Sequence, residues 1–160
     1  TGTGPYNRDS VPNAEDDYGR YKRDCESRIA SANPQAYIAR LGWQIGRSTG
    51  SNNMFDFLER SMSERGFIEA SDQWFPSCSY LDDTASALID LLTNQSHGTY
   101  LVNSNQSCNF FEIVSAIDRG RNRWRIVQSS NLIRDDRMFD DRVMIANLTE
   151  TLGVGSSTAH

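Results

Sequence analysis

Apolar residues in the first half of the chain recur every three or four positions, which is the spacing of one face of an α-helix. This pattern predicts helices over residues 14–31, 53–65 and 81–94, and another that starts at Pro34 and includes Ile45. The apolar positions that predict these four helices, in chain order, are Tyr18, Tyr21, Cys25 and Ile29; Tyr37, Ile38, Leu41 and Ile45; Phe55, Leu58 and Met62; and Ala85, Leu88, Ile89 and Leu92. The first half of the chain is therefore expected to be helical.

After residue 98 the pattern changes to β-branched and aromatic runs, which favour strands. Strands are predicted over residues 99–102, 110–116 and 123–127, with residues 118–122 as a hairpin loop between the last two. A closing helix is expected over residues 140–152. This order predicts an α+β fold, with a helical N-terminal half followed by a small antiparallel sheet and a closing helix.

The same pattern divides the chain into four segments that are expected to form one compact unit. They are an extended arm over residues 1–12, a helical segment over 13–73, an α+β segment over 74–153 and a C-terminal tail over 154–160. With 160 residues and 38% hydrophobic content, the chain can bury a core. No apolar run approaches the roughly 20 residues that a membrane-spanning helix needs.

The basic residues are unusual in kind more than in number. The net charge is −5, which argues against broad nucleic-acid binding. Lys22 is the only lysine among the 16 basic residues, and all the others are arginine. Arginine suits planar, two-point contacts with carboxylates and phosphates. The codon usage of a GC-rich genome explains the same bias without a function.

Four arginines that are close together in the sequence support the first functional hypothesis. They are Arg119, Arg121, Arg123 and Arg125, and Trp124 lies among them. Arginine and tryptophan are enriched at interface hot spots. These residues therefore predict a non-catalytic protein that uses this surface to bind an anionic ligand or a protein, and a protein is the expected partner. The alternative is that Trp124 is buried and the arginines only solvate an edge strand.

A second hypothesis, from another functional class, is a small hydrolase that uses Cys78 and His97. Cys78 lies just before a predicted helix N-terminus, where the helix dipole can lower the pKa of a thiol, and His97 opens a strand and can shuttle a proton. The alternative is a structural cysteine beside a loop histidine. No metal or cofactor is expected, because His97 and His160 are the only histidines and no glycine-rich phosphate loop carries a lysine.

The acidic residues suggest structural pairs more than catalysis. Glu112 interrupts an apolar run on a predicted strand, so we expect it to pair with Arg123 or Arg125 on the next strand. The string Arg134-Asp135-Asp136-Arg137 is partly repeated as Asp140-Asp141-Arg142, which is typical of a solvated, ion-paired surface, with a cation site as the alternative.

The cysteines and sequons leave the cellular compartment open. At most one internal disulfide can form, because the three cysteines are Cys25, Cys78 and Cys108. Three sequons are only slightly more than chance predicts, and they begin at Asn94, Asn105 and Asn147. The start at Thr1 and the Ser/Asn/Gly-rich composition favour an exported or processed form.

Residues 74–152 resemble a Src homology two domain, the module that binds phosphotyrosine peptides. The strings that carry the resemblance are Trp74-Phe75, the helix from Leu81 to Leu92, Gly98-Thr99-Tyr100-Leu101-Val102, Phe110 to Val114, Arg123-Trp124-Arg125-Ile126, and Met138-Phe139 before the closing helix. Asn103 stands where that family has its phosphate-binding arginine. The resemblance therefore implies a degenerate member, in which Arg123 and Arg125 remain to hold an anionic ligand.

Overall fold

The computed structural model describes residues 4–154 of the chain. Residues 1–3 and 155–160, which include parts of the predicted arm and tail and also His160, lie outside the described residues. The helices are α1 (Asp17–Ala32), α2 (Met54–Arg65), α3 (Leu81–Asn94), α4 (Phe110–Asp118) and α5 (Leu148–Leu152). The strands are β1 (Tyr6–Asn7), β2 (Tyr37–Leu41), β3 (Trp43–Ile45), β4 (Ile68–Ser71), β5 (Trp74–Phe75), β6 (Cys78–Tyr80), β7 (Gly98–Val102), β8 (Ile126–Ser129), β9 (Arg134–Asp135) and β10 (Met138–Phe139).

Every strand pair in the described part of the chain is parallel, so the predicted antiparallel sheet, and with it the α+β class, is wrong. The pairs are β2 with β7, β3 with β6, β4 with β8, β5 with β9 and β1 with β10. Parallel neighbours require long crossover connections, usually through a helix. Helix α2 lies between β3 and β4 in the chain, and α3 lies between β6 and β7. Helices and parallel strands therefore alternate through the centre of the chain.

The helix predicted from Pro34 through Ile45 is instead the strands β2 and β3. Short apolar runs do not distinguish a helix from a buried strand by their spacing alone. Here β2 gains a five-residue ladder with β7, and β3 pairs with β6. Gly42 joins the two strands at a close approach to Ser77, whose carbonyl oxygen would be 2.5 Å from a Cβ at that position. Pairing with distant strands decides the conformation of this segment.

The strand predicted over residues 110–116 is instead the helix α4. Its N-terminus is a capping box: the Asn109 side chain accepts a hydrogen bond from the Glu112 N–H (2.9 Å), and the Glu112 carboxylate accepts one from the Asn109 N–H (2.8 Å). Glu112 therefore caps a helix and does not pair with Arg123 or Arg125.

The predicted hairpin loop over residues 118–122 is instead the last residue of α4, Asp118, and the turn that follows it. The buried carboxylate of Asp118 accepts hydrogen bonds from the backbone N–H groups of Arg123 (3.0 Å) and Trp124 (3.3 Å). These bonds turn the chain toward β8, which starts at Ile126 rather than at residue 123.

The helices predicted over residues 14–31, 53–65 and 81–94 are confirmed, as α1, α2 and α3. Asn53 caps α2, and Gly66 ends it in the left-handed conformation (φ 74°). The predicted closing helix is much shorter than expected, because α5 begins only at Leu148.

The core lies between α2, α4 and the strands β3, β4 and β6. Its fully buried apolar side chains include Ile45, Leu58, Ile68, Cys78 and Ile113. Helix α1 is different, because none of its residues is buried. Within residues 4–154, no helix combines the length and apolar content needed to cross a membrane.

Candidate functional site

The first turns of α1 present a tyrosine and the only lysine of the chain on one exposed face. Tyr18 and Lys22 are four residues apart, which places them one above the other on a helix. The Lys22 ammonium lies 5.4 Å from the centre of the Tyr18 ring, and Tyr18 is 71% exposed. Helix α1 begins at Asp17. Asp16 caps its N-terminus, because the Asp16 side chain accepts a hydrogen bond from the N–H of Gly19 (2.8 Å).

An ion pair fixes α1 along strand β2. The Arg40 guanidinium donates to both carboxylate oxygens of Glu26, from Nη2 to Oε2 (2.7 Å) and from Nε to Oε1 (2.9 Å). Only residues 33–36 connect α1 to β2, so the helix runs antiparallel to the strand. Tyr18 lies two turns before Glu26 and therefore faces the carboxyl end of β2, the edge of a parallel sheet where ligands usually bind.

A second feature is an aromatic cavity of about 270 Å³. Its apolar lining includes Phe57, Trp74 and Phe110, and Trp74 and Phe110 have ring centres 4.7 Å apart. Glu69 and Asn131 lie on its lining and share a hydrogen bond of 3.2 Å. Hydrogen bonds from Ser129, Asn131 and Arg65 lower the pKa of Glu69. The cavity thus combines flat apolar walls with a few polar groups, which is typical of small-molecule sites.

Part of the predicted arginine surface is held by contacts within the protein. The Arg119 guanidinium donates to the carbonyl oxygen of Gly153 (2.9 Å). The carboxylate of Glu59 pairs with Arg123 (2.8 Å) and also accepts from the Trp124 indole N–H (3.0 Å). Trp124 is half-buried, so only part of its side chain is exposed to a binding partner.

Arg121 and Arg125 differ from these neighbours. Both are exposed, and neither side chain has an ion pair or hydrogen-bond partner within residues 4–154. Arg121 lines a small cavity together with Arg47 and Tyr80. A ligand-binding role for the five predicted residues stays a prediction, and Arg121 is the member placed best for it.

The structure does not assemble a cysteine–histidine pair. Cys78 is fully buried at the start of β6, and burial raises the pKa of its thiol, with the nearby Cys108 adding to the rise. His97 is exposed before β7, and no hydrogen bond joins it to Cys78. A buried, protonated thiol is unreactive, and all three cysteines are free, so no disulfide forms among them.

Asn103 and the neighbouring Asn105 are structural. The Asn103 side chain accepts a hydrogen bond from the Cys78 N–H (3.0 Å) and donates to the Met138 carbonyl oxygen (2.9 Å), which ties β6 and β7 to β10. Asn105, one of the three sequon asparagines, is fully buried. Among the described residues, no group of three metal-ligand side chains lies close enough to hold an ion.

Tyr18 and Lys22 were both noticed in the sequence, but not as a pair. Tyr18 was assigned to an apolar helix face, and Lys22 was noted only as the single lysine of the chain. The available signal was the spacing, because the only lysine of the chain follows a tyrosine by one helical turn. The aromatic cavity gave no such signal, since its residues come from distant parts of the sequence.

Comparison with known proteins gives a consistent result. The profile of the RmlD substrate binding domain matches residues 1–129. The dTDP-4-dehydrorhamnose reductase of Bacillus anthracis, solved in complex with NADP, is 21% identical with a TM-score of 0.73 over 92% of this chain and 56% of its own. The orthologue from Clostridium acetobutylicum is 15% identical, with a TM-score of 0.76 over 93% of this chain and 57% of its own. No curated protein sequence matches.

A third solved structure widens the chemistry of the neighbours. TunA, an NAD-dependent NDP-hexosamine 5,6-dehydratase of tunicamycin biosynthesis, is 15% identical, with a TM-score of 0.61 over 96% of this chain and 55% of its own. The chain thus spans a little over half the length of these proteins. At these identities the likeness establishes the fold, which is that of parallel-sheet NAD(P)-binding reductases and related enzymes.

These findings overturn four expectations from the sequence. The chain is not a Src homology two domain, because its strand pairs are parallel and the matched profile belongs to another family. A non-catalytic protein-binding module and a cysteine hydrolase both conflict with neighbours that are sugar-nucleotide enzymes. The Bacillus anthracis reductase was solved with NADP and TunA is NAD-dependent, and neither name indicates the expected protein partner.

Proposed function

The chain belongs to the RmlD substrate binding domain family, and from that membership we propose that it is the substrate-binding part of an NAD(P)-dependent enzyme that reduces a 4-dehydro sugar of a nucleoside diphosphate. The observation that carries the proposal is the Tyr18–Lys22 pair on the uncovered face of α1. The names of the structural neighbours supply the substrate class, since two of them reduce dTDP-4-dehydrorhamnose.

Reduction of a sugar ketone needs a hydride at the carbonyl carbon and a proton at the carbonyl oxygen. When bound, a nicotinamide cofactor supplies the hydride. The Tyr18 hydroxyl donates the proton, so the C=O group becomes CH–OH while Tyr18 becomes a phenolate. The Lys22 ammonium, one turn away, stabilises that negative charge, because opposite charges close together favour the ionised form. Lys22 has no ion pair in the described residues and is available for this role.

The residues present fit the reacting end of such a cofactor. An exposed hydroxyl and an unpaired ammonium on one helix face can both contact a nicotinamide–ribose group. The described residues do not offer a glycine-rich turn for its pyrophosphate. Gly46, in the turn after β3, has its open side filled by Asn53, whose amide would lie 2.3 Å from a Cβ there.

The aromatic cavity is the part of the chain best suited to the nucleobase of the substrate. The face of an exposed aromatic ring can stack on a flat base. Trp74 and Phe110 supply such walls, while Asn131 and Glu69 can form hydrogen bonds with the base edges. The rest of the substrate would then extend from this cavity toward Tyr18.

The test is the NADPH-dependent reduction of dTDP-4-dehydrorhamnose by wild-type, Tyr18→Phe and Tyr21→Phe proteins. Tyr18→Phe removes one hydroxyl and is expected to lower kcat by about 100-fold or more, the usual contribution of a general acid. Tyr21→Phe is the matched control, since Tyr21 is also exposed on α1 but its hydroxyl is bound to Cys25. It should retain nearly full activity.

Binding of dTDP to the chain, measured by the change in tryptophan fluorescence, provides a readout that does not depend on turnover. Wild-type and Tyr18→Phe proteins should bind dTDP equally. The proposal is wrong if the wild-type chain neither binds dTDP nor reduces the sugar, or if both tyrosine variants lose activity to the same extent.

A further inference from the structure

A small cavity opens where the parallel strands β3 and β6 end. Its volume is about 100 Å³, enough for one phosphate group. Both strands finish at this point, with β3 at Ile45 and β6 at Tyr80. The residues that line it are Gly46, Arg47, Phe55, Tyr80, Ile117 and Arg121. The crevice outside the carboxyl ends of parallel strands is where open α/β folds commonly bind ligands.

Arg47 forms one wall of this cavity and is available to a ligand. Its guanidinium lies 5.3 Å from the centre of the Tyr80 ring, which orients it toward the cavity. Its only carboxylate partner in the described residues is Asp82, at 3.1 Å, and the two side chains are 72% and 75% exposed. Such exposed pairs contribute little, so Arg47 can exchange Asp82 for a better-placed anion.

Arg121 reaches the same cavity from the end of α4. Within residues 4–154 it forms no ion pair and no side-chain hydrogen bond. Its positive charge does act on Tyr80: burial raises the pKa of the phenol, while Arg47 and Arg121 both lower it, and the net effect is a rise. The Tyr80 hydroxyl therefore remains protonated at neutral pH and can act as a hydrogen-bond donor.

We propose that this cavity binds a phosphoryl group between Arg47 and Arg121, with the Tyr80 hydroxyl as a third donor. Arginine forms paired hydrogen bonds with phosphate oxygens, and charge-assisted bonds of this kind are the stronger class. The cavity is separate from the aromatic cavity and shares no residue with it. The nearby negative charges are Asp82, which pairs with Arg47, and Asp83, whose charge acts on Tyr80.

The phosphoryl group has two candidate sources: free phosphate or a nucleoside diphosphate. The second source rests on the proposed function, because a sugar nucleotide carries a diphosphate, whereas binding of phosphate itself does not depend on that function. Asp82 competes with either ligand for Arg47. Its neutralisation should therefore strengthen phosphoryl binding, which a purely structural role for these residues would not predict.

The experiment is calorimetric titration of the chain with inorganic phosphate and, separately, with dTDP at low ionic strength. Arg121→Ala should weaken phosphate binding about 10-fold or more, the loss expected for a charged hydrogen bond. Asp82→Asn should tighten it, and Tyr80→Phe should weaken it less than Arg121→Ala. Arg60→Ala is the matched control, since Arg60 is also exposed, on α2, and lies outside the cavity lining. Circular dichroism checks that each variant is folded.

The possible outcomes separate this proposal from the proposed function. Weaker binding of both ligands in Arg121→Ala supports a site for the diphosphate, and an effect on phosphate alone supports a site for free phosphate. If dTDP binds but Arg121→Ala and Asp82→Asn leave its affinity unchanged, the phosphoryl site is wrong while the proposed function survives. Failure of the wild-type chain to bind phosphate or dTDP, or equal losses in Arg60→Ala, also overturns the site.

Discussion

Replacing Asn105 with alanine is expected to remove three buried hydrogen bonds at once. The Asn105 side-chain amide donates to the carbonyl oxygens of Pro76 and Cys108, both at 2.8 Å, and its Oδ1 accepts from the Cys108 N–H, also at 2.8 Å. Asn105 is fully buried, so these contacts join the segment before β6 to the segment before α4 without solvent. The alanine side chain reaches none of the three backbone groups.

The size of the effect follows from the groups that lose their partner. Leaving a buried backbone donor or acceptor unsatisfied costs about 1–3 kcal/mol. Three such groups would give a larger sum, but a water molecule admitted to the space left by the amide can satisfy part of it. We therefore expect a loss of about 3–5 kcal/mol, which is a large part of the roughly 5–15 kcal/mol that stabilises most domains.

Urea denaturation followed by circular dichroism measures this loss. With an m-value of about 2 kcal/mol per molar urea, the midpoint should fall by about 1.5–2.5 M. Asn94→Ala is the matched control, because Asn94 lies exposed at the end of α3 and its side chain bonds only to Asp90 at the surface (2.6 Å). It should move the midpoint very little. A midpoint for Asn105→Ala within about 0.3 M of wild type would refute the reasoning.

Two further predictions concern charge and reactivity. Burial alone would raise the pKa of Asp140, but hydrogen bonds from Arg142 and from the Leu101 N–H lower it overall. Its stabilising effect is thus present above the unfolded-state pKa of about 3.9 and is lost as the pH falls through the folded value. Asp140→Asn should lower the urea midpoint at pH 7, and at pH 3 the midpoints of the variant and the wild type should lie closer together. A larger gap between the two midpoints at pH 3 than at pH 7 would contradict this. Iodoacetamide at neutral pH should label Cys25, which is partly exposed, and spare Cys78, whose thiol is buried with a raised pKa. Mass spectrometry identifies the labelled cysteine, and rapid labelling of Cys78 in the folded protein would contradict this prediction.

Local signals in the sequence were sufficient for some elements. Helix α2 shows both of its ends in the sequence, since Asn53 caps its start and Gly66 ends it in a conformation that favours glycine. Helix α4 carried an equally local signal in Asn109 and Glu112, but the β-branched residues within it suggested a strand. The capping box was the better guide there, because it satisfies backbone groups that a strand would pair elsewhere.

The candidate site was predictable only in pieces. The arginines around Arg121 were visible as a cluster. The sequence could not show that Arg123 pairs with Glu59 while Arg121 has no ion pair within residues 4–154. Lys22 was visible as the only lysine, and its spacing from Tyr18 follows from helical geometry alone. Their exposure depends on α1 lying outside the core, which spacing does not reveal.

The sequence by itself determined where the helices with strong caps begin and end, because capping depends on residues only three or four positions apart. The tertiary structure alone decided that residues 37–45 are strands and that every described strand pair is parallel. A short apolar run can be buried as either a helix or a strand, and the direction of a neighbouring strand depends on contacts between residues 35 to 132 positions apart. The same long-range contacts bring the ends of β3 and β6 together and so create the cavity between Arg47 and Arg121.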